Sequence, residues 1–148
     1  MGRMLEARGL PAVVVDLDWL GWTYLGPGSP PPGEMIATNL AVIWPNFVAA
    51  GMRYAILARG LSSRAALESL ERALPLTDIK VVRLAAAGST LAARLRGRDT
   101  GAELGEHLRG AQEMSEIMER LQLEDFVVSG DAVAVEVVAA EVVRQLGW

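Results

Sequence analysis

The sequence lacks cysteine entirely and contains one histidine, His107, and one lysine, Lys80. The absence of cysteine excludes disulfide bonds and thiolate chemistry. With a single histidine, the chain is a poor candidate for a histidine-rich metal site or for a Ser-His-Asp triad. The chain therefore has to perform any chemistry mainly with carboxylates, guanidinium groups, hydroxyls and aromatic rings.

Long hydrophobic runs are also missing. No apolar stretch approaches the ~20 residues that a bilayer-spanning helix needs, so we expect no membrane association. The polar start "MGRMLEARG" does not resemble a secretory signal, and we expect a cytoplasmic protein. A net charge of −4 argues against a general nucleic-acid binder. The hydrophobic fraction of 51% is high and indicates elements buried on both sides, or apolar surface left for a partner.

What is present is an alternation of strand-like and helix-like segments in 148 residues, the size of one domain. Four short, continuous, β-branched runs predict parallel strands covered on both faces; they are residues 12–17, 53–58, 80–85 and 125–130. Helical patterns occupy residues 34–50, 62–74, 88–97, 102–122 and 131–146. The alternation predicts a three-layer α/β/α fold with a parallel sheet.

Residues at the ends of these segments predict where the helices begin and end. Gly9 should close an N-terminal helix, and a serine should cap the helix over 62–74. Pro45 should kink or interrupt the helix over 34–50. Asp131 should cap the last helix.

Asp16 and Asp18 end the first predicted strand, in the stretch "VVVDLDWLGW". Ligands of open parallel sheets bind beyond the carboxyl ends of the strands. The two carboxylates are therefore candidates for binding a hydroxylated substrate or for activating its hydroxyl as general base. A metal-linked role, a solvated turn and a helix cap are the alternatives.

Three arginines, Arg94, Arg96 and Arg98, form a second candidate cluster. Arg94 and Arg98 are four residues apart and so share one face of a helix. Guanidinium groups suit phosphate oxygens. The alternative is a solvated basic helix end that pairs with Asp99 and Glu103.

The aromatic side chains form a third group of candidates. Trp19, Trp22, Tyr24 and Trp44 are candidates to line a pocket or to cover the core. His107 is expected on the surface of the long helix.

Taken in order, these segments resemble the small-molecule P-loop kinases, the group of gluconate, shikimate, adenylylsulfate and adenylate kinases, and bacterial ATP-binding proteins of that superfamily. The segments that carry the resemblance are "ARG" before "VVDLD", then "RYAILARG", "VVRLAAAGSTLAARLRGRDTG" and "DFVVSGD". The resemblance covers nearly the whole chain and implies one kinase-like domain over residues 1–148, with a lid-like segment at about 94–110.

The resemblance assigns a role to each candidate. It implies that Asp16 and Asp18 bind the acceptor, next to Trp19 and Trp22. Arg94 and Arg98 match catalytic and nucleotide-binding arginines of the lid, with Arg96 as an alternate. The loop Ser129, Gly130 and Asp131 matches the loop near the nucleotide base. ATP and Mg²⁺ are the implied cofactors of the full-length form.

Two features depart from the kinase pattern. The motif G-x-x-x-x-G-K-[ST], whose backbone amides and lysine hold the phosphates, is missing. The strand over 53–58 ends in "ILARG" and offers no aspartate for a metal. We therefore expect an N-terminally truncated kinase-like chain that binds nucleotide weakly and has little or no activity. The alternatives are a non-catalytic homo-oligomeric interaction module, such as a homodimer that covers apolar surface, and a small-molecule sensor without ATP.

Overall fold

The computed structural model describes residues 1–22, 26–131 and 133–148. These described ranges contain seven helices and four strands in alternation. Their bounds are α1 (Gly2–Ala7), β1 (Ala12–Asp16), α2 (Asp18–Gly21), α3 (Pro32–Ala49), β2 (Tyr54–Ala58), α4 (Arg64–Ala73), β3 (Val82–Ala85), α5 (Gly88–Arg98), α6 (Gly101–Leu121), β4 (Phe126–Ser129) and α7 (Val135–Leu146).

The chain divides into two compact units, residues 1–79 and residues 80–148. In the first unit β1 and β2 pair in parallel, from Ala12 opposite Tyr54 to Asp16 opposite Ala58. In the second unit β3 and β4 pair in parallel over four residues each. The predicted α/β class and parallel pairing are therefore confirmed, and the sheets are small. The expectation of one kinase-like domain stays a prediction.

The core of the first unit lies on one face of the β1–β2 pair, where α3 and α4 cover it. Val15 and Leu57 reach this core from the strands. Burial of each large aliphatic or aromatic side chain contributes about 1.5–3 kcal/mol before the entropy of ordering is subtracted. The buried members are Leu17, Ile36, Leu40, Trp44, Ala73 and Leu74.

The strands are not covered on both faces, contrary to expectation. Val14, which alternates with Val15 and so lies on the opposite face of β1, is 60% exposed. On that face β1 contacts the six-residue helix α1, which is too short to cover it. In the second unit Leu84 of β3 is 59% exposed. A continuous run of apolar residues therefore reflected strand propensity more than two-sided burial.

Two predicted helix boundaries are confirmed. Ser63 caps α4, because its Oγ accepts a hydrogen bond from the Ala66 N–H at 3.1 Å. Gly9 closes α1 at φ +68°, with its N–H donating to Glu6 O and the Leu10 N–H donating to Leu5 O. This pair of bonds is the Schellman arrangement, which requires a left-handed residue and so favours glycine.

Pro45 lies inside α3, which continues through it, so the predicted interruption does not occur. A kink at Pro45 stays a prediction. The predicted cap of the last helix is wrong. The helix α7 starts after Ala134 with no side-chain cap, so Asp131 does not cap it. None of the helices in the described part of the chain is long and apolar enough to cross a membrane.

Candidate functional site

The carboxyl end of β1 carries both predicted aspartates. Asp16 is the last residue of β1 and Asp18 is the first residue of α2. The Asp18 N–H donates to Asp16 Oδ1 at 3.1 Å, so the first carboxylate orients the turn that leads to the second. Both residues are exposed, and Asp18 has 67% of its side chain in solvent. The two carboxylates are therefore free to face a ligand from outside.

The short helix α2 is held firmly in place despite its four residues. Leu17, just before it, is buried and donates its N–H to Ala58 O at 3.0 Å. The Asn39 side chain donates to Leu20 O at 2.7 Å and thereby satisfies a carbonyl that the helix leaves unpaired. At Gly21 a Cβ atom would come within 2.6 Å of Ile36 Cγ1, so the helix backbone lies directly against α3. These contacts fix the position of the side chains that α2 carries.

Two tryptophans of α2 and its end project into solvent together. The rings of Trp19 and Trp22 stack with their centroids 5.1 Å apart and an interplanar angle of 24°. Their exposed fractions are 71% and 75%, which is unusual for the largest apolar side chain. Trp44, in contrast, is buried in the core, and Tyr24 lies outside the described residues.

Arg59 joins this group, although the sequence analysis does not name it as a candidate. It follows β2 directly, and its Nε lies 3.9 Å from Asp18 Oδ1. The stretch "ILARG" has no aspartate at the end of β2, but it does place this arginine there. Its position at the carboxyl end of the strand paired with β1 was the signal that could have identified it.

The second unit has its own cluster at the carboxyl ends of β3 and β4. The Gly130 N–H donates to Ala85 O at 2.7 Å. The Asp131 carboxylate accepts the Ala87 N–H at 2.8 and 3.0 Å, just before the start of α5. Hydrogen bonds from Thr90 and from the Ala87 N–H lower the pKa of Asp131, so its charged form is favoured.

Arg94 completes this cluster. Its Nη2 donates to Gly130 O at 2.6 Å, which ties α5 to the loop after β4. The Asp131 N–H donates in turn to Ser129 Oγ at 3.3 Å. The structure thus brings together four of the predicted nucleotide-side residues, namely Arg94, Ser129, Gly130 and Asp131.

Arg98 takes a different partner from Arg94. Its guanidinium donates two hydrogen bonds to the Asp99 carboxylate, at 2.8 and 3.0 Å. His107 Nδ1 of α6 lies 2.7 Å from the same carboxylate. The hydrogen bonds from Arg98, with a smaller contribution from His107, lower the pKa of Asp99 to about 2. Arg98 therefore pairs with Asp99, as the alternative interpretation of the arginine cluster predicts. Arg96 is exposed on the same helix.

Metal ligands are sparse in the described ranges. Residues 1–22, 26–131 and 133–148 contain no group of three or more histidine, aspartate or glutamate side chains placed to hold a metal ion. Asp16 and Asp18 offer two carboxylates at most. These residues do not form a metal-binding cage of their own.

Comparison of the chain with known proteins gave no match among family models, curated proteins or solved structures.

Proposed function

We propose that this chain is a P-loop kinase-like, ATP-binding protein that lacks its phosphate loop. In full-length form it would transfer the γ-phosphoryl group of ATP to a small hydroxylated acceptor. The acceptor oxygen forms a bond to phosphorus, the bond from phosphorus to the bridging oxygen of ADP breaks, and the hydroxyl proton passes to a carboxylate. The chain as it stands would bind nucleotide weakly and turn over little.

One observation carries the proposal. In each unit the residues that the resemblance assigns to ligands lie at the carboxyl ends of a parallel strand pair, where open α/β sheets bind ligands. Asp16 is the last residue of β1, and Ser129 is the last residue of β4.

The acceptor side of the proposal rests on Asp16 and Asp18. Either carboxylate would accept a hydrogen bond from a substrate hydroxyl and take its proton as phosphoryl transfer proceeds. Arg59, whose Nε lies 3.9 Å from Asp18 Oδ1, would help to orient that carboxylate.

The nucleotide side rests on the cluster around Gly130. Arg94 would steady the base-side loop through its bond to Gly130 O. Arg98 would have to exchange Asp99 for a phosphate oxygen before it could stabilise transferring charge. That exchange would give up the two hydrogen bonds to Asp99, which supports the proposal that this chain binds nucleotide weakly.

The phosphate-binding part of the proposed site is not supplied by the described residues. At the start of α5 the Ala87 N–H already donates to Asp131, so this amide is not available to a phosphate. The sheet of the first unit has two strands, which is small for an α/β fold, and a further strand carrying the glycine-rich loop would extend it. Mg²⁺ enters the proposal with the nucleotide, since kinase sites hold it largely through phosphate oxygens and water.

Nucleotide titration tests the proposal. ATP–Mg²⁺ is titrated by calorimetry against this chain and against a chain extended upstream to include a G-x-x-x-x-G-K-[ST] segment. We expect the extended chain to bind at least ten times more tightly, because the loop amides and lysine supply most of the phosphate contacts. Tight binding by the short chain, or equal weak binding by both, would contradict the proposal.

A second candidate function is a non-catalytic module that acts through association with a second copy. The observation that favours it is the exposure of apolar strand residues in both units, at Val14, Leu84 and Val127. Short sheets with uncovered apolar faces are stabilised when another chain covers them. The oligomeric state in solution separates this function from the first.

A further inference from the structure

We infer that the surface formed by Asp16, Asp18, Trp19 and Trp22, called here the tryptophan platform, binds a hydroxylated ring that carries a positive charge, of the amino-sugar class. The inference rests on the proposed function, because the platform is the proposed acceptor side of the site. It goes beyond that function by choosing among acceptors. The charge that the platform presents disfavours a sugar acid, a phosphorylated sugar and a nucleotide as its ligand.

The aromatic part of the platform selects a ring-shaped ligand. In the stacked pair Trp19 and Trp22 each cover one face of the other, and their exposed fractions of 71% and 75% leave the outer surfaces in water. Flat indole surfaces bind the apolar face of a saturated ring, and they attract a cation placed over the ring at ~6 Å or less from its centroid. Both interactions favour a ligand that combines an apolar ring face with an ammonium group.

The charged part of the platform selects the sign of the ligand's charge. Asp16 and Asp18 bring two carboxylates, and Arg59 supplies the guanidinium that lies 3.9 Å from Asp18. These three groups leave an excess of one negative charge at the start of α2, the helix that also carries Trp19. Carboxylates accept hydrogen bonds from hydroxyls and, more strongly, from ammonium groups, whereas an anionic ligand is repelled.

The support beneath the platform makes it a site rather than a mobile patch. Leu17 is buried, Leu20 O is bonded by Asn39, and Gly21 lies against Ile36. The helix that carries Asp18 and Trp19 is thus fixed before a ligand arrives, which lowers the entropy cost of binding. The same acidic charge disfavours an anionic membrane surface or a nucleic acid as the occupant.

The test is a titration of the chain followed by the indole N–H signals in ¹H–¹⁵N correlation spectra. The chain has four tryptophans, and Trp→Phe variants assign their signals. The probes at pH 6 and constant ionic strength are glucosamine, its neutral analogue N-acetylglucosamine, and glucuronate as an anion that keeps the ring. We expect the Trp19 and Trp22 signals to shift, while the buried Trp44 signal stays in place.

Half-saturation by glucosamine should require about 2- to 5-fold less ligand than by N-acetylglucosamine, the factor typical of an exposed charge pair. Glucuronate should give the weakest response. Equal shifts with glucosamine and glucuronate, shifts that include Trp44 to the same degree, or no shift with any probe would each overturn the inference.

Variants that remove negative charge test whether Asp16 and Asp18 cause the preference for glucosamine. The double variant D16N/D18N should lose the preference for glucosamine and keep the response to N-acetylglucosamine, because the indoles remain. The matched control E71Q removes one negative charge from the last turn of α4 and should keep the preference. A preference that survives D16N/D18N would assign the selection to other groups and overturn the inference.

This experiment contains no nucleotide, so its failure differs from failure of the proposed function. Charge-selective binding at the platform together with no ATP binding by the extended chain would contradict the kinase function alone. ATP binding by the extended chain without charge-selective binding at the platform would contradict the choice of acceptor alone.

Discussion

Asp99 illustrates how much one partly buried carboxylate contributes to stability when a guanidinium and an imidazole both contact it. Arg98 bonds it from the preceding residue, and His107 reaches it from α6, so it links α5 to α6. The pKa of Asp99 is lowered from 3.8 to about 2 in the folded chain. A lowered folded-state pKa means that the stabilisation is fully present above the ordinary value and is lost as the pH falls toward about 2.

Asp99→Asn should therefore lower the thermal midpoint at neutral pH. The difference from wild type should shrink as the pH falls from about 4 to about 2, because the wild-type carboxylate is then protonated as well. Thermal unfolding followed by circular dichroism across this range measures it. Glu113→Gln makes the same charge change on α6 and is the control. A difference that stays constant with pH would contradict the assignment.

Leu76 is strained in a way that can be measured. It adopts φ +61° and is fully exposed. This left-handed backbone conformation is sterically unfavourable for leucine. Leu76→Asn should raise the free energy of unfolding by about 0.5–1 kcal/mol, because asparagine tolerates this conformation. Leu76→Ala removes the same exposed side chain without relieving the backbone. Urea denaturation that gives Asn and Ala equal stability would contradict the explanation.

At the scale of elements, α2 depends on a glycine more than on helix propensity. A Cβ at Gly21 would lie 2.9 Å from Pro32 O as well as 2.6 Å from Ile36 Cγ1, and a backbone oxygen cannot give way as a side-chain end can. Gly21→Ala should therefore destabilise the chain by about 1–3 kcal/mol. Urea unfolding monitored by the fluorescence of buried Trp44 measures this loss.

Gly33→Ala is the matched control for that change. No atom lies within 4 Å of the position a Cβ would take at Gly33, which is in the first turn of α3. Alanine there should be neutral or stabilising by up to ~1 kcal/mol. Similar losses for both variants would show that helix propensity, and not the contact with α3, governs the effect.

The sequence predicted the type and order of most elements because each has a clear period or a short β-branched run. All four strands lie within their predicted ranges, and Ser63 and Gly9 act as expected. The helix α2 was not predicted, since four residues do not establish a period. Its position depends on contacts with α3 that lie far along the chain.

The sequence predicts which residues are candidates for the site, but not which contacts they make. Asp131 was assigned to the nearest helix, whereas it bonds Ala87, 44 residues away. Arg94 and Arg98 share a helix but take different partners, because only the tertiary structure decides which loop each one reaches. Local sequence gives the chemistry of a side chain, and distant segments determine its use.

At the scale of the whole molecule, the strand residues exposed in both units determine how the chain behaves in solution. Val14, Leu84 and Val127 place apolar surface in water on elements that ordinarily have it covered. We expect self-association that increases with concentration, because covering such surface removes it from water.

Light scattering over a wide concentration range measures this association against the chain mass of 15.8 kDa. Leu84→Glu should shift the distribution toward monomer, and the control Glu113→Gln should not. A mass that stays at 15.8 kDa throughout would count against the interaction-module function and leave the kinase proposal in place.

The bond between Asp131 and the Ala87 N–H has a consequence for any free anion in solution. The chain holds the Asp131 carboxylate next to the amide that it binds, so the effective concentration of the carboxylate there is of order millimolar or more. A dilute anion arriving from solvent competes with a ligand that never diffuses away. The Ala87 N–H is therefore occupied from within the chain, and it becomes available to an outside anion only when Asp131 is displaced.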